Sequence, residues 1–173
     1  TAALELPTFD PLALMWQAYF SPPVDPVQTI HVATTRRIGR YTITRPLQLG
    51  ALVGGADEHT VRGLIAWGDL IGDAFAVRDD VLGVWGDPTQ TGKPAGDDLR
   101  SGKPTELLTW AAELLPASDR PLLDACDAGT LDDAGVDALQ RAMVAAGVRE
   151  RAEQAVADLS RRAHACLDEL SVE

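Results

Sequence analysis

A long helical segment, residues 57–85, sets the architecture that this sequence can adopt. Its apolar residues recur with the spacing of one helix face, and Gly86-Asp87-Pro88 ends the pattern because these residues favour a turn. The other segments with helical periodicity are 11–20, 26–40, 42–55, 105–115, 119–128, 131–146 and 148–170. Alternation typical of strands is weak everywhere. The sequence therefore predicts an all-α fold, and its length suits a single unit over residues 1–173.

The net charge, the lack of a long apolar run and the cysteine pattern limit the partners and the cellular compartment that we expect. The formal net charge is -11, which argues against nucleic acid because phosphate backbones are bound by basic surfaces. No apolar run of about eighteen residues and no signal peptide pattern is present, so we expect a cytoplasmic protein without a membrane span. Cys126 and Cys166 are expected to be free buried thiols, because no Cys-x-x-Cys pattern or histidine at ligand spacing accompanies them.

The loop between two of the predicted helices, residues 86–104, is the first indication of function. It is longer than most connections between helices, and loops of that length are usually functional or disordered. The only two lysines of the chain, Lys93 and Lys103, both lie in it, each within a Gly-Lys-Pro triplet. Asp97 and Asp98 lie between the lysines, and we interpret them as residues that orient the loop and its lysines rather than as metal ligands.

A pair of carboxylates, Asp79 and Asp80, precedes the loop near the C-terminal end of the long helical segment. That end of a helix carries partial negative charge, so the pair requires cations, of which Arg78 supplies one. Magnesium typically bridges one or two carboxylates to substrate phosphates. Lysine ammonium groups bind phosphate oxygens, and glycines let the backbone approach a ligand closely. The carboxylate pair and the two lysines together predict a magnesium–diphosphate site, although each feature alone is also typical of a solvated surface.

A resemblance to a known family rests on residues 75–105, which read FAVRDDVLGVWGDPTQTGKPAGDDLRSGKPT. This stretch closely resembles the second aspartate-rich region of trans-isoprenyl diphosphate synthases, the polyprenyl synthetase family, of the farnesyl or geranylgeranyl type. The family pattern is F-Q-x-x-D-D-x-x-D, then G-D, then G-K-x-x-G-x-D-L-x-x-G-K-x-T. Residues 36–55 look like the preceding helix of the family, and the resemblance extends from about residue 26 to the end of the chain.

The resemblance implies a fold, a reaction and a set of site residues. The fold is a helical bundle of the isoprenoid synthase type, and the reaction condenses isopentenyl diphosphate with an allylic diphosphate to give longer prenyl diphosphates. The implied cofactor is Mg²⁺, held by Asp79 and Asp80, which are also the implied catalytic residues. The residues implied to bind the substrate diphosphate are Arg37, Lys93 and Lys103.

Four positions depart from the family pattern and motivate a second hypothesis. Ala76 replaces the glutamine after Phe75, Gly83 replaces the third aspartate, and Arg37-Ile38 replaces a Lys-Thr pair. The alternative is therefore a non-catalytic or regulatory subunit that pairs with an active prenyl synthase. A terpene cyclase of the same all-α fold is less favoured, because the loop with two Gly-Lys-Pro triplets resembles the chain-elongating enzymes.

The N-terminal half of the family pattern has no counterpart in this sequence. Family members are longer and have a first aspartate-rich motif, DDxxD, in that half, whereas no such motif precedes Asp79. The resemblance therefore implies the C-terminal half of a synthase domain, without the N-terminal helices of the bundle. We expect exposed apolar helix faces where those helices would pack. The expected partners are the missing half of the same fold and, in a homodimer, a second copy of the chain.

Overall fold

A computed structural model describes residues 39–170, and within that range the chain is helical without any strand. A π-helical turn, Arg40–Thr44, leads into the first α-helix. The α-helices are α1 (Arg45–Val53), α2 (Glu58–Trp85), α3 (Pro88–Thr91), α4 (Asp97–Arg100), α5 (Glu106–Leu114), α6 (Arg120–Asp127), α7 (Asp133–Ala145) and α8 (Val148–Asp168). The predicted all-α class is confirmed. The predicted helices 11–20 and 26–40 lie outside the described residues, except for the last two positions of the second.

Local sequence signals explain where the long helices begin and end. Asp57 caps α2, because its carboxylate accepts a hydrogen bond of 2.7 Å from the Thr60 N–H, and Gly86 follows the last helical residue. Thr105 caps α5 by accepting from the Leu108 N–H. These side chains satisfy backbone donors that the first turn of a helix leaves free. The predicted helix boundaries therefore agree with the structure to within a few residues.

The prediction of a loop over 86–104 is correct only in part, because the segment contains the short helices α3 and α4. Asp87 does more than end the preceding helix: its carboxylate accepts from the Thr89 N–H at 2.9 Å and so caps α3. Gly92 and Gly96 adopt left-handed backbone conformations, with φ of 70° and 74°, which residues with a Cβ rarely adopt. The two glycines separate the helical turns and fold the segment back on itself.

The hydrophobic core packs against the segment 86–104. Its members come from the C-terminal part of α2 and from the helices that follow, with Leu99 of α4 among them. The largest fully buried apolar side chains are Leu99, Leu107, Leu139, Met143, Val84, Val136, Val148 and Cys126. Because Leu99 is fully buried, it anchors α4 to the end of α2. The segment that holds both lysines is therefore fixed to the core rather than extended into solvent.

The π-helical turn and α2 approach each other closely because small residues line the contact. A Cβ added to Gly72 would lie 2.7 Å from the Cα of Gly39, and one added to Gly68 would lie 3.0 Å from the Cα of Thr44. The Thr44 hydroxyl donates a hydrogen bond of 2.8 Å to the Asp69 carboxylate. Gly68 and Gly72 share one face of α2 because they are four residues apart, so this face accepts the preceding segment.

Several large apolar side chains are exposed on α2, on the π-helical turn and on α1. Phe75 and Leu82 of α2 are 54% and 45% exposed, and they flank Asp79 on one helix face. Further exposed apolar residues on the π-helical turn and α1 are Tyr41, Leu49, Leu52 and Val53. Within residues 39–170, none of the helices combines the length and the apolar composition that crossing a membrane requires.

Candidate functional site

The C-terminal end of α2 places its two adjacent carboxylates in different environments. The Asp79 side chain is 61% exposed, whereas that of Asp80 is 12% exposed. Successive residues in an α-helix differ in direction by roughly 100°, so the first carboxylate points to solvent and the second points toward the core and the segment that follows. In the sequence the two aspartates form one pair, whereas the structure distinguishes an accessible carboxylate from a buried one.

Lys103 joins the two carboxylates of α2 to a third one from α4. Its Nζ lies 2.8 Å from Asp98 Oδ2, 3.3 Å from Asp80 Oδ1 and 3.8 Å from Asp79 Oδ2. We call Asp79, Asp80, Asp98 and Lys103 the carboxylate–lysine cluster. Three carboxylates and one ammonium give the cluster a formal charge of -2 when all are ionised, so the cluster attracts a further cation.

The backbone between Asp98 and Lys103 brings these two side chains together. The Lys103 N–H donates to the Asp98 carbonyl at 2.9 Å, and Gly102 adopts a φ of 59° in the turn between them. A Cβ on Gly102 would lie 2.6 Å from the Cys126 carbonyl oxygen. Glycine is therefore required here both by the left-handed conformation and by the close approach of α6.

Gly83 provides the space that the Asp98 carboxylate occupies. A Cβ at position 83 would lie 2.2 Å from Asp98 Oδ2 and 2.4 Å from Asp98 Cγ. The departure from the family pattern at this position therefore has a structural consequence: the carboxylate of α4 packs on α2 beside the position where the pattern has its third aspartate. The sequence predicts the same role for Asp97 and Asp98, which is to orient the loop and its lysines, and it does not predict the contact of Asp98 with Gly83. The nearest signal for that contact is the glycine at 83 where the family pattern has an aspartate.

Burial and neighbouring charges shift the pKa values of the cluster. Burial raises the pKa of Asp80 to about 6, an effect that the ammonium of Lys103 opposes and the carboxylate of Asp98 reinforces. Burial also raises the pKa of nearby Glu106, and the charge of Asp80 adds to it. Burial lowers the pKa of Lys103, but its contacts with Asp98 and Asp80 outweigh burial and raise it overall. Lys103 is therefore a permanent cation at neutral pH, within a cluster that has excess negative charge.

Arg78 has a different role from the one expected for it. Its guanidinium donates two hydrogen bonds to Glu153 of α8, at 2.9 and 2.8 Å, in a bidentate pair. The hydrogen bond to Arg78 lowers the pKa of Glu153. Arg78 thus joins α2 to α8, and its charge is matched by Glu153 rather than by the carboxylates beside it in the sequence.

The other sequence-predicted residues lie apart from the cluster or outside the described range. Lys93 is exposed after α3, and its ammonium makes no hydrogen bond or ion pair with residues 39–170. Ala76 is buried in α2. Arg37 and Ile38 lie outside the described residues. The structure therefore brings together Asp79, Asp80 and Lys103 and leaves Lys93 as a solvent-exposed cation.

The donor set at the end of α2 suits a hard divalent cation. Asp79 and Asp80 present oxygen ligands, which Mg²⁺ prefers. Within residues 39–170, no three His, Cys, Asp or Glu side chains converge to enclose a metal ion. Magnesium does not require such an enclosure, because it keeps several waters and commonly takes its other ligands from substrate phosphates. The Asp79 carboxylate is exposed and is therefore accessible to a hydrated ion of this kind.

Comparison with known proteins gives matches over most of the chain. The family model described as polyprenyl synthetase matches residues 17–145. A (2E,6E)-farnesyl diphosphate synthase of Mycobacterium tuberculosis is 49% identical over 63 residues, which are 36% of this chain and 18% of that relative. A heptaprenyl diphosphate synthase component 2 of Geobacillus stearothermophilus is 45% identical over 79 residues, which are 44% of this chain and 25% of that relative.

A solved structure is similar in fold as well as in sequence. It is a geranylgeranyl pyrophosphate synthase from Corynebacterium glutamicum, complexed with isoprenyl diphosphate and magnesium, and it matches with a TM-score of 0.75 at 33% identity. The match covers 92% of this chain and 45% of that protein. The chain therefore spans less than half the length of each of these relatives.

Proposed function

This chain belongs to the polyprenyl synthetase family, and we propose that it forms the C-terminal half of a prenyltransferase domain. The proposed reaction condenses isopentenyl diphosphate with an allylic diphosphate to give a longer prenyl diphosphate of the farnesyl or geranylgeranyl type. One observation supports it above all: the Lys103 ammonium lies within 3.8 Å of both carboxylates at the end of α2. A departing diphosphate develops negative charge, which is stabilised by metal ions on anionic ligands and by a cation that binds its phosphates.

Each of the sequence-predicted site residues has a proposed role in this site. The exposed Asp79 carboxylate would bind a hydrated Mg²⁺, and Asp80, which contacts Lys103 at 3.3 Å in this structure, would bind the ion alongside it. Lys103, Lys93 and Arg37 would bind the oxygens of the allylic diphosphate. When bound, magnesium would supply positive charge that stabilises the leaving diphosphate.

Completion of the site is proposed to need the remaining helices of the same fold. Phe75 and Leu82 are exposed on either side of Asp79, so a packed helix there would cover apolar surface and enclose the carboxylates at once. The matched synthases are longer than this chain, and one of them is a component 2 by name. We propose the N-terminal half of the fold as the direct partner, and a homodimer as the assembly.

The second candidate is a subunit that binds diphosphate and pairs with an active synthase without turnover of its own. Ala76 favours it, because this buried position in α2 offers a methyl group where the family pattern has a glutamine amide. Arg37 and Ile38 add to that argument from the sequence. The two candidates share the diphosphate site and differ in the product formed.

A product assay separates the candidates. A protein containing this chain is incubated with labelled isopentenyl diphosphate, Mg²⁺ and allylic diphosphates of increasing length, and the extracted products are separated by chromatography. The prenyltransferase proposal expects longer prenyl diphosphates, abolished by Asp79→Asn and retained with the control Asp97→Asn. Absence of product, together with a stable complex with an active synthase, would instead support the subunit.

A further inference from the structure

We infer that Asp98 is the positioning residue for Lys103, holding its ammonium beside the Asp79–Asp80 pair so that it faces the diphosphate when those carboxylates bind a metal. The inference rests on the proposed function and adds a residue to it. Asp98 acts through Lys103, and we do not assign it as a ligand of the metal or as a contact of the substrate.

The distances within the carboxylate–lysine cluster support this assignment. The contact of Lys103 with Asp98 is 2.8 Å, shorter than its contacts of 3.3 Å with Asp80 and 3.8 Å with Asp79. A metal bound by Asp79 and Asp80 would compete with the ammonium for those two carboxylates, since both cations seek the same oxygens. Asp98 is then the anion that keeps Lys103 in place, and the ammonium retains donors for a phosphate oxygen.

The environment of Asp98 fixes the direction of its carboxylate. The side chain is 11% exposed, it packs on the backbone of α2 at Gly83, and Leu99 beside it is fully buried. A buried carboxylate that keeps its charge needs a cationic partner, and Lys103 is that partner. Its neighbour Asp97 is a natural comparison, because it lies on the same short helix and its carboxylate makes no hydrogen bond or ion pair within the described part of the chain.

The test measures Mg²⁺-dependent binding of inorganic pyrophosphate by calorimetry, in a protein that contains this chain together with the N-terminal half of the fold. Asp98→Asn should weaken binding about tenfold or more, because the Lys103 ammonium then faces a neutral amide oxygen in place of a carboxylate. Asp97→Asn, the matched control, should change it by less than about twofold. In a Lys103→Met background, Asp98→Asn should have no further effect, since Asp98 would have lost the group through which it acts.

A second variant displaces the carboxylate without changing any charge. Gly83→Ala inserts a methyl group 2.2 Å from Asp98 Oδ2 and should reproduce the loss of binding. Gly50→Ala is its control, because a Cβ there meets nothing within 4 Å. Far-UV circular dichroism of each variant checks that helicity is retained. If Asp98→Asn does not fold, the comparison of Gly83→Ala with Gly50→Ala tests the role of Asp98 in its place.

The outcomes separate this inference from the proposed function. Absence of Mg²⁺-dependent pyrophosphate binding by the wild-type protein, with both halves of the fold present, would refute the diphosphate site itself. Binding by the wild type that Asp98→Asn and Asp97→Asn affect equally would overturn the role of Asp98 alone. A further loss on adding Asp98→Asn to Lys103→Met would also overturn it, because Asp98 would then act on the metal or substrate independently of Lys103.

Discussion

Replacing the buried carboxylate of the site with its amide should make the metal-free protein more stable. Burial raises the pKa of Asp80 from the ordinary value of 3.8 to about 6, even with the ammonium of Lys103 nearby. That difference corresponds to about 3 kcal/mol by which the ionised carboxylate disfavours folding. Asp80→Asn keeps the shape and removes the charge, and Lys103 retains its 2.8 Å contact with Asp98. We therefore expect the free energy of unfolding to rise by up to about 3 kcal/mol at a pH of about 7.5.

The raised pKa of Asp80 determines at which pH the variant should be more stable than the wild type. A carboxyl group whose pKa is higher in the folded state stabilises the fold fully below its unfolded pKa, and that contribution is lost as pH rises through the folded pKa. The difference between Asp80→Asn and the wild type should therefore be small near pH 3.8 and reach its full size above a pH of about 6. Urea unfolding followed by circular dichroism, in metal-free buffer over this range, measures the difference.

Two results would refute the reasoning. A variant less stable than the wild type above a pH of about 6 would mean that the contact with Lys103 outweighs the burial of charge. A stability difference independent of pH would mean that the Asp80 carboxyl group titrates alike in the folded and unfolded chains. Adding Mg²⁺ and pyrophosphate should reverse the order, because only the wild type keeps the buried carboxylate as a ligand.

Three further predictions concern the scaffold. Leu139→Ala should lower the free energy of unfolding by about 2–5 kcal/mol in urea titrations, because this side chain is fully buried in the core. Arg78→Met should cost about 1 kcal/mol or less at neutral pH, since the pair with Glu153 is partly exposed, and the difference should shrink in acid as Glu153 is protonated. Gly72→Ala should lower the melting temperature because its Cβ would lie 2.7 Å from facing backbone, whereas Gly50→Ala should raise stability by up to about 1 kcal/mol.

The long helices could be predicted from the sequence because their signals are local. The periodicity of 57–85, the cap at Asp57 and the glycine after Trp85 all lie within or beside α2. Thr105 likewise caps α5 through a contact three residues away. Helix α4 could not be predicted in this way, since a helix of four residues has no periodic pattern and depends on the burial of Leu99.

The site was only partly predictable, because part of it depends on contacts distant in sequence. The chemistry of Asp79, Asp80 and Lys103 could be inferred from residue types and from the family pattern. The unequal exposure of the two aspartates depends on how α4 packs on α2, which periodicity does not reveal. The contact of Asp98 with Gly83 is likewise a contact between two helices. Only the folded chain shows that the glycine at 83, where the family pattern has its third aspartate, leaves space for the Asp98 carboxylate.

Calorimetric titration with inorganic pyrophosphate, with and without Mg²⁺, of a protein that contains this chain and the N-terminal half of the fold tests most directly whether the end of α2 is a metal–diphosphate site. We predict binding that requires Mg²⁺, is abolished by Asp79→Ala with helicity intact, and is weakened more by Lys93→Ala than by Arg120→Ala. Arg120 serves as a control because it is the first residue of α6 and its guanidinium donates to the Ala112 carbonyl rather than to a residue of the cluster. Binding that Asp79→Ala leaves unchanged, or equal effects of the two cation variants, would contradict the assignment.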